Sequence, residues 1–391
     1  MKRTFFTLML LGLGLGAAAQ ELQTLREYLE AGLERNYDIR IIRNEERISD
    51  NNATAANAGK LPTIDLSAGY TGQLDNDRTT PRGGDPVTEN GIYNQTFDVG
   101  LAVNWTLFDG FRIRAEYAKL EELKAKGALQ TRLTIEDFIA SFTAEYYNFV
   151  QQKLRLGNYL YAMALSRERL RIAEEWYRVG SSARLDVLQA RVDFNADSSQ
   201  YMSQQEAVTA SRIRLNELLA NEDLNRRLHV RDSLIAIDAD LEWGQLMDRT
   251  RETNASLLLA DRDNTISELE LKSIRSRNYP YLKLQAGYGY THNRYGGGAN
   301  RSNGTLGLNA GVQVGFTIFD GNRRREQRNA RIGIENTRLT RMQLEQSLMA
   351  DLATFWQAYR NNLEVIRLEE ENLTAARENY RIAMERYRQG E

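Results

Sequence analysis

The chain has 391 residues, 42% hydrophobic and 27% charged, a composition that suits a folded protein and excludes general disorder. The formal net charge is −2, and aromatic residues do not alternate with Lys or Arg, so we expect no nucleic-acid partner. The chain contains no cysteine, and its two histidines, His229 and His292, lie in unrelated contexts. We therefore expect no metal site, no cofactor and no Ser-His-Asp triad.

The N-terminal stretch MKRTFFTLMLLGLGLGAAAQ has the order of a secretory signal: two basic residues, an apolar run and small residues before a cleavage site after Ala19. The apolar run is shorter than the ~20 residues that a membrane-spanning helix requires, which disfavours an N-terminal anchor. We therefore predict a signal peptide at 1–19 and an exported mature chain. Removal of Lys2 and Arg3 leaves 49 basic against 53 acidic residues, a net charge of −4.

Apolar residues three and four apart, such as Leu25 and Leu29, predict helix over 22–59. Strict alternation of apolar and polar residues then predicts two strands, at about 61–73 and 95–108. The same alternation returns in the second half and predicts strands at about 280–291 and 305–319. Each pair of strands is separated by a turn-rich stretch, so we expect two hairpins.

The stretch TLFDGFRIR at 106–114 returns as TIFDGNRRR at 317–325, 211 positions later. Upstream, KLPTIDLSAGYTG at 60–72 resembles NYPYLKLQAGYGY at 278–290, 218 positions later. The segment between the proline and the Phe-Asp-Gly motif is thus seven residues shorter in the second copy. We assign this difference to a loop, because loops absorb length changes most easily.

Other matches extend the repeat in both directions. Asn36 corresponds to Asn254 at the spacing of 218, and WYRVG at 176–180 corresponds to RYRQG at 386–390 at a spacing of 210. Because the features keep the same order in both halves, the chain contains an internal duplication.

Long runs of helix-forming residues follow each hairpin. Residues 112–179 and 322–389 lack proline and are nearly free of glycine, and at ~1.5 Å per residue each predicted helix is ~100 Å long. A further helix is predicted at 185–221. The apolar positions stay on one side of the first helix, which also fits a solvated coiled coil with a purely mechanical role.

The predicted organisation has four parts. These are the signal peptide at 1–19, a first repeat at 20–222, a connector at 223–245, and a second repeat at 246–391.

An ordinary antiparallel sheet on a core would give the same alternation in any one strand. Two features favour a membrane β-barrel instead. The predicted strands reach the ~10 residues that a tilted membrane strand needs, and their polar face carries small groups suited to a wet lumen. Aromatic residues, namely Tyr70, Trp105, Tyr288 and Phe316, also lie near strand ends, where interface girdles occur.

Four strands cannot close a barrel, and an unpaired strand edge in lipid costs several kcal/mol per bare backbone group. The chain must therefore combine its strands with those of other copies. Two copies give about 8 strands, three give about 12 and four give about 16, and an open pore requires at least three copies. The strand number alone does not choose between three and four.

The repeated Phe-Asp-Gly motif has a physical explanation at the end of a membrane strand. Phe108 and Phe319 would end the apolar band, Asp109 and Asp320 can cap the next helix or turn, and glycine permits the bend, at the positions Gly110 and Gly321. The arginines that follow would meet anionic head groups or simply solvate the first helical turn. No second ligand recurs nearby, so a metal or phosphate site at the motif is disfavoured.

Five features together resemble the TolC-type outer-membrane efflux proteins. They are the signal peptide, the twofold repeat, the Leu-Pro or Tyr-Pro-Tyr-Leu entry to each first strand, the Phe-Asp-Gly motifs and YRVGSSARLDVLQA at 177–190. The resemblance implies an α+β membrane protein: a homotrimer with four transmembrane β-strands per chain, a 12-stranded barrel and a long helical periplasmic tunnel. The resemblance also implies that the protein is not an enzyme. It implies instead a passive exit duct in the outer-membrane lipid. The implied partners are a periplasmic adaptor (membrane fusion) protein and an inner-membrane transporter of the RND, ABC or similar type, in an efflux pump or type I secretion system.

The resemblance also implies a docking tip for the adaptor at the turn formed by Val179, Gly180, Ser181 and Ser182. For Asp186 two interpretations stay open. It would form a polar link with Tyr387 that holds the tip closed, or it is a first-turn acid favoured by the helix dipole.

This sequence differs from the family pattern at its end, because the second copy stops at Glu391 where the first continues into another helix. Either the sequence is truncated there or the protein is defective, and we expect a truncation. The gate residues of the second copy therefore cannot be named. Two rival functions remain beside the exit duct. One is a structural outer-membrane trimer with a plugged lumen, and the other is a secreted enzyme, which the lack of any acid-base pair or nucleophile disfavours.

Overall fold

The computed structural model describes residues 24–231, 241–297 and 300–389, without the side chains of 387–389. The predicted signal peptide at 1–19 and part of the predicted connector at 223–245 lie outside the described residues.

The described chain is mostly helical and contains one small β-sheet. In order, the elements are α1 (Leu25–Arg35), α2 (Tyr37–Asn52), β1 (Thr63–Thr79), β2 (Val87–Asp109), α3 (Arg112–Arg178), α4 (Arg184–Leu218), α5 (Trp243–Thr253), α6 (Ala255–Arg275), β3 (Tyr281–Arg294), β4 (Ser302–Gly315) and α7 (Arg323–Gln389). A 3-10 turn, Ser276–Asn278, lies between α6 and β3.

The duplication is visible as two sets of elements, α1–α2–β1–β2–α3 and α5–α6–β3–β4–α7. Asn36 and Asn254, matched at the spacing of 218, occupy the same structural position. Each side-chain oxygen caps the second helix of its set by accepting from the amides two and three residues further on, at 2.9 and 3.2 Å for Asn36 and at 3.0 and 3.3 Å for Asn254. The third residue of each cap, Ile39 or Leu257, is fully buried.

The four strands form one antiparallel sheet in the order β1-β2-β3-β4. Residues 80–86 separate β1 from β2, and residues 295–301 separate β3 from β4, which is seven positions in each hairpin. The two copies therefore differ in strand length, with 17 and 23 residues in β1 and β2 against 14 in each of β3 and β4. Our assignment of the length difference to a loop is wrong.

β4 ends at Gly315, four residues before the end of the strand predicted at about 305–319. Gly315 lies opposite Tyr281, the first residue of β3, and Pro280 precedes that residue. Proline has no N–H to donate and cannot extend the ladder, so β4 loses its partner there. Phe319 is consequently not the last residue of a strand, and its side chain is 86% exposed.

The described residues within 1–42 and 134–239 form one compact unit. Its core contains a row of rings on α3, Phe138, Phe142 and Tyr146, whose spacing of four residues places them on one helix face. Neighbouring ring centroids lie 5.7 and 6.5 Å apart. Ile39 and Leu215 are fully buried in the same cluster. Each such side chain contributes about 1.5–3 kcal/mol by leaving water.

Two polar side chains attach the segment after α4 to this core. The amide of Asn216, completely buried, donates to the carbonyl oxygens of Leu224 at 3.0 Å and Arg226 at 2.9 Å. The hydroxyl of Tyr28 accepts from the backbone N–H of His229 at 3.2 Å, and burial raises the pKa of that hydroxyl. Buried polar groups need such partners, so these bonds fix the path of the chain beyond α4.

The described residues within 43–133 and 240–391 form a second unit, which holds the sheet. In this unit α6 presents carboxylates to cations on two helices, α3 and α7. The pairs are Lys126–Asp263 at 2.5 Å, Lys119–Glu270 at 2.7 Å, Arg341–Asp261 at 2.6 Å and Arg338–Glu268 at 3.2 Å. All are partly exposed and each contributes about 0–1 kcal/mol, so they orient the helices more than they stabilise them.

The two capping asparagines differ in one contact, which gives a prediction. Only Asn36 also donates its side-chain amide to a carbonyl oxygen, that of Leu218, at 2.9 Å. We expect Asn254→Ala to cost about 1 kcal/mol and Asn36→Ala about 2 kcal/mol, because the second variant also leaves a carbonyl unpaired. Amide hydrogen exchange in the first turns of α2 and α6 measures both losses. Equal losses at the two sites would contradict the added role of the Leu218 contact.

Candidate functional site, a two-faced sheet and a helical turn

One face of the sheet is apolar and exposed. In register across the four strands, Leu66, Leu101, Tyr288 and Leu308 lie side by side, and each is between 47% and 77% exposed. The adjacent rows continue the apolar face with Ile64, Val103, Ala286 and Ala310 on one side and Ala68, Val99, Tyr290 and Leu306 on the other. A continuous exposed apolar face of this kind marks a surface that contacts lipid or protein.

The opposite face is polar and rich in glycine. Ser67, Gly100, Gly289 and Gly307 form one row across the strands, so three glycines are neighbours. A cavity of about 390 Å³ lies over this face, and its lining includes Asp98, Asn104, Gln285, Thr291 and Asn309. Because glycine has no side chain, this row leaves open space beside polar groups that water can solvate.

Both sides of the sheet end in an open edge. Among the described residues, β1 pairs only with β2 and β4 pairs only with β3. Each outer strand therefore presents a row of unpaired N–H and C=O groups, which is a template for another strand.

The first Phe-Asp-Gly motif joins β2 to α3 within a tightly packed junction. The Asp109 carboxylate accepts from the backbone N–H of Ile113 at 3.1 Å and from the guanidinium of Arg112 at 3.1 Å, so it caps α3. Gly110 has φ +70°, and a Cβ there would overlap the carbonyl oxygen of Ser276. Only glycine satisfies both conditions.

The second motif has the same sequence but a looser structure. The Asp320 carboxylate accepts from the N–H of Asn322 at 3.0 Å, which forms a local turn before α7. Gly321 does not have a positive φ, and the nearest atom to an added Cβ would be 3.8 Å away, on Phe319. Identical motifs are thus under different constraints in the two copies.

The predicted tip is a turn between α3 and α4. The N–H of Gly180 donates to the carbonyl oxygen of Tyr177 at 3.1 Å and the N–H of Ser181 donates to that of Trp176 at 2.9 Å, which is a Schellman motif with glycine at φ +82°. Val179 and Leu185 flank the turn with exposed apolar side chains. The turn therefore ends α3 sharply and displays two apolar groups.

The Asp186 carboxylate is engaged within its own turn. One oxygen accepts from the hydroxyl of Ser182 at 2.7 Å and from the N–H of Ala183 at 3.0 Å, next to the start of α4. This geometry is that of a helix-capping acid. The predicted link to Tyr387 stays a prediction, because the Tyr387 side chain is outside the described residues.

Sequence reasoning missed Phe111, which has φ 74° although it is not glycine. No sequence signal marks such a conformation, since the matching position of the second copy holds Asn322, a residue better suited to positive φ that does not adopt it. The residue before Phe111, Gly110, lies close to the carbonyl oxygen of Ser276, and that approach is a tertiary feature.

No helix in the ranges 24–231, 241–297 and 300–389 has the length and hydropathy to cross a membrane. Within the same ranges, no three or more His, Cys, Asp or Glu side chains are grouped so that they would hold a metal ion.

The fold is similar to that of solved outer-membrane channels. The Campylobacter jejuni CmeC outer membrane channel superposes with a TM-score of 0.67, 16% identity, and coverage of 83% of this chain and 68% of CmeC. The outer membrane protein VceC from Vibrio cholerae superposes with a TM-score of 0.64 and 16% identity, and the match covers 85% of this chain and 79% of VceC. The outer-membrane channel OprN superposes with a TM-score of 0.63 and 21% identity, and the match covers 86% of this chain and 73% of OprN.

The sequence model of one family, described as outer membrane efflux protein, matches residues 17–221 and 246–391. The chain belongs to the outer membrane efflux protein family. This membership confirms the resemblance to TolC-type proteins. No curated protein matches the chain significantly.

The two Phe-Asp-Gly glycines offer a matched test of the junction. We expect Gly110→Ala to destabilise the protein by about 2–4 kcal/mol, because the methyl group meets a backbone carbonyl at an unfavourable φ. Gly321→Ala should change stability by less than about 1 kcal/mol, because its site has both space and an ordinary φ. Thermal unfolding in detergent, followed by circular dichroism, compares the two variants. A comparable loss in both would refute the difference between the junctions.

Proposed function

We propose that this chain is one subunit of a homotrimeric outer-membrane channel-tunnel that acts as a passive exit duct of a tripartite efflux pump or a type I secretion system. The observation that carries the proposal is the four-stranded sheet with one exposed apolar face and two open edges. Unpaired backbone groups in lipid cost several kcal/mol each, so the edges must pair with those of other copies. Three copies supply 12 strands.

The polar face favours a duct over a plugged structural trimer. The neighbouring glycines Gly100, Gly289 and Gly307 place no side chain in the interior that the sheet would enclose. A lumen filled by side chains would need large residues at these positions. Water and a solute would instead pass over backbone and small polar groups.

Location follows from the same features. The apolar face requires the hydrocarbon of the outer membrane, and the long charged helices α3 and α7 belong in the periplasm. A passive duct supplies no energy of its own, so in this proposal the energy for transport comes from an inner-membrane transporter. A periplasmic adaptor protein would connect the two by docking on the turn at Val179–Ser182.

Adjacent residues of β4 on opposite faces test the membrane assignment. We expect Leu308→Arg to weaken insertion into lipid vesicles, because an arginine facing lipid near the bilayer centre costs about 2–4 kcal/mol. Asn309→Arg places the same charge on the polar face and should insert normally while changing single-channel conductance. Vesicle flotation and planar-bilayer recording measure the two effects.

Native mass measurement of the wild-type protein in detergent should give three times the mass of one processed chain. A trimer that inserts but never conducts would support the structural alternative and reject the duct. A stable single chain without detergent would reject the membrane assignment altogether.

The absence of native cysteine permits a specific test of the docking tip. A bifunctional crosslinker on Ser181→Cys should capture a periplasmic adaptor protein, identified by mass spectrometry. Ser203→Cys, exposed on α4 away from the turn, is the matched control and should capture much less. Equal capture at both positions, or capture of cell-wall proteins alone, would contradict docking at the tip.

A further inference from the structure

A cavity of about 470 Å³ opens at the junction where β2 passes into α3. Residues of the junction, the first turns of α3 and the end of α6 line it, and they include Phe111, Arg114, Lys272, Arg275 and Tyr279. All of these residues belong to the unit that contains the sheet. The junction therefore forms a concave site rather than a flat surface.

The lining has a strongly one-sided charge. Arg114, Lys272 and Arg275 contribute three cations, and no carboxylate is among the lining residues. A second cavity in the same unit, of about 670 Å³, provides the contrast, because its three cations are balanced by three acids, Glu46, Asp50 and Glu121. The positive charge of the junction cavity is thus a property of that site and not of cavities in this unit generally.

The three cations have no ion-pair partner in the part of the chain that the structure describes. The acids nearby in sequence are occupied elsewhere, since Asp109 pairs with Arg112 at 3.1 Å and Glu270 pairs with Lys119 at 2.7 Å. Glu116, on α3, accepts from the hydroxyl of Ser273 at 2.6 Å. None of these three carboxylates pairs with Arg114, Lys272 or Arg275, so the cations of the cavity remain available to an external anion.

Aromatic groups form the other part of the lining. Phe111 packs edge to face on Tyr279, with ring centroids 5.9 Å apart, and both rings remain about half exposed. Phe111 is held in this position with a positive φ, a conformation that costs of order 1–3 kcal/mol. The site thus combines cations with exposed apolar surface.

The cavity lies beside the end of the sheet, because Asp109 is paired with Tyr281 in the last row of the β2–β3 ladder. If the proposed function holds, this row of the sheet lies at the periplasmic boundary of the membrane, and the inference below rests on that function. A ligand that carries a phosphate next to apolar chains matches cations beside aromatic rings at that depth.

We propose that this cavity binds the phosphate head group of an anionic phospholipid. The three cations contact the phosphate and the exposed faces of Phe111 and Tyr279 contact the adjoining apolar part of the lipid. An occupied site attaches the junction of each subunit to the membrane boundary.

Native mass spectrometry of the full-length protein, stripped of lipid in detergent, tests this site by titration with dioleoyl phosphatidylglycerol. The combined variant Arg114→Gln, Lys272→Gln and Arg275→Gln should bind about 100-fold more weakly, the factor expected from three cations near an anionic surface. The matched control is Arg155→Gln, Arg249→Gln and Arg360→Gln, which should bind normally. It removes the same charge from exposed positions outside the cavity, further along α3, on α5 and on α7.

Zwitterionic dioleoyl phosphatidylcholine should bind far more weakly than phosphatidylglycerol to the wild type. Inorganic phosphate, added as a competitor, distinguishes a lipid site from a site for a free anion. If phosphate displaced phosphatidylglycerol at equimolar concentration, the lipid assignment would be overturned. Equal losses in the two triple variants would overturn the assignment to this cavity. The single-channel conductance of the cavity variant, recorded in parallel, should equal that of the wild type. Failure of the lipid proposal would appear in the binding measurement, whereas failure of the proposed channel function would appear in the conductance.

Discussion

The open edges of the sheet are the constraint on which the rest of the structure depends. β1 and β4 are each paired on one side only within the described residues, and the face between them is apolar and exposed. For an isolated chain the exposed apolar face is unfavourable in water and the unpaired backbone groups of the edges are unfavourable in lipid. The proposed trimer satisfies both requirements with one arrangement, and the glycines of the polar face leave its interior open.

The junctions between strand and helix show how one motif serves two different contexts. Asp109 caps a helix directly, whereas Asp320 forms a turn in a linker, because β4 stops at Gly315 and leaves several residues outside the sheet. The chain at Gly110 approaches the carbonyl of Ser276 closely, and the same packing forms the cationic cavity that we assign to a phospholipid head group. Structural constraint and proposed binding thus coincide in the first copy.

The helical regions of the two compact units differ in the side chains that join the helices. One has an aromatic and aliphatic core along α3, in which side chains such as Phe142 and Tyr146 are withdrawn from water. In the other unit, α6 buries apolar side chains such as Leu257 and Leu271, and it also forms ion pairs with its neighbours that are partly exposed and individually weak. Conserved placement of Asn36 and Asn254 at the second helix of each set shows that the duplication preserved helix starts even where packing diverged.

The sequence by itself determined the duplication, the alternation that defines the two faces of the sheet, the long helices and the family. These features are local or periodic, so residue order is sufficient to identify them. Only the tertiary structure decided the end of β4, the extra length of β1 and β2, the positive φ of Phe111 and the grouping of Arg114, Lys272 and Arg275 around one cavity. Each of these depends on segments that are distant in the chain, such as the approach of residue 276 to residue 110, and no local pattern encodes that proximity.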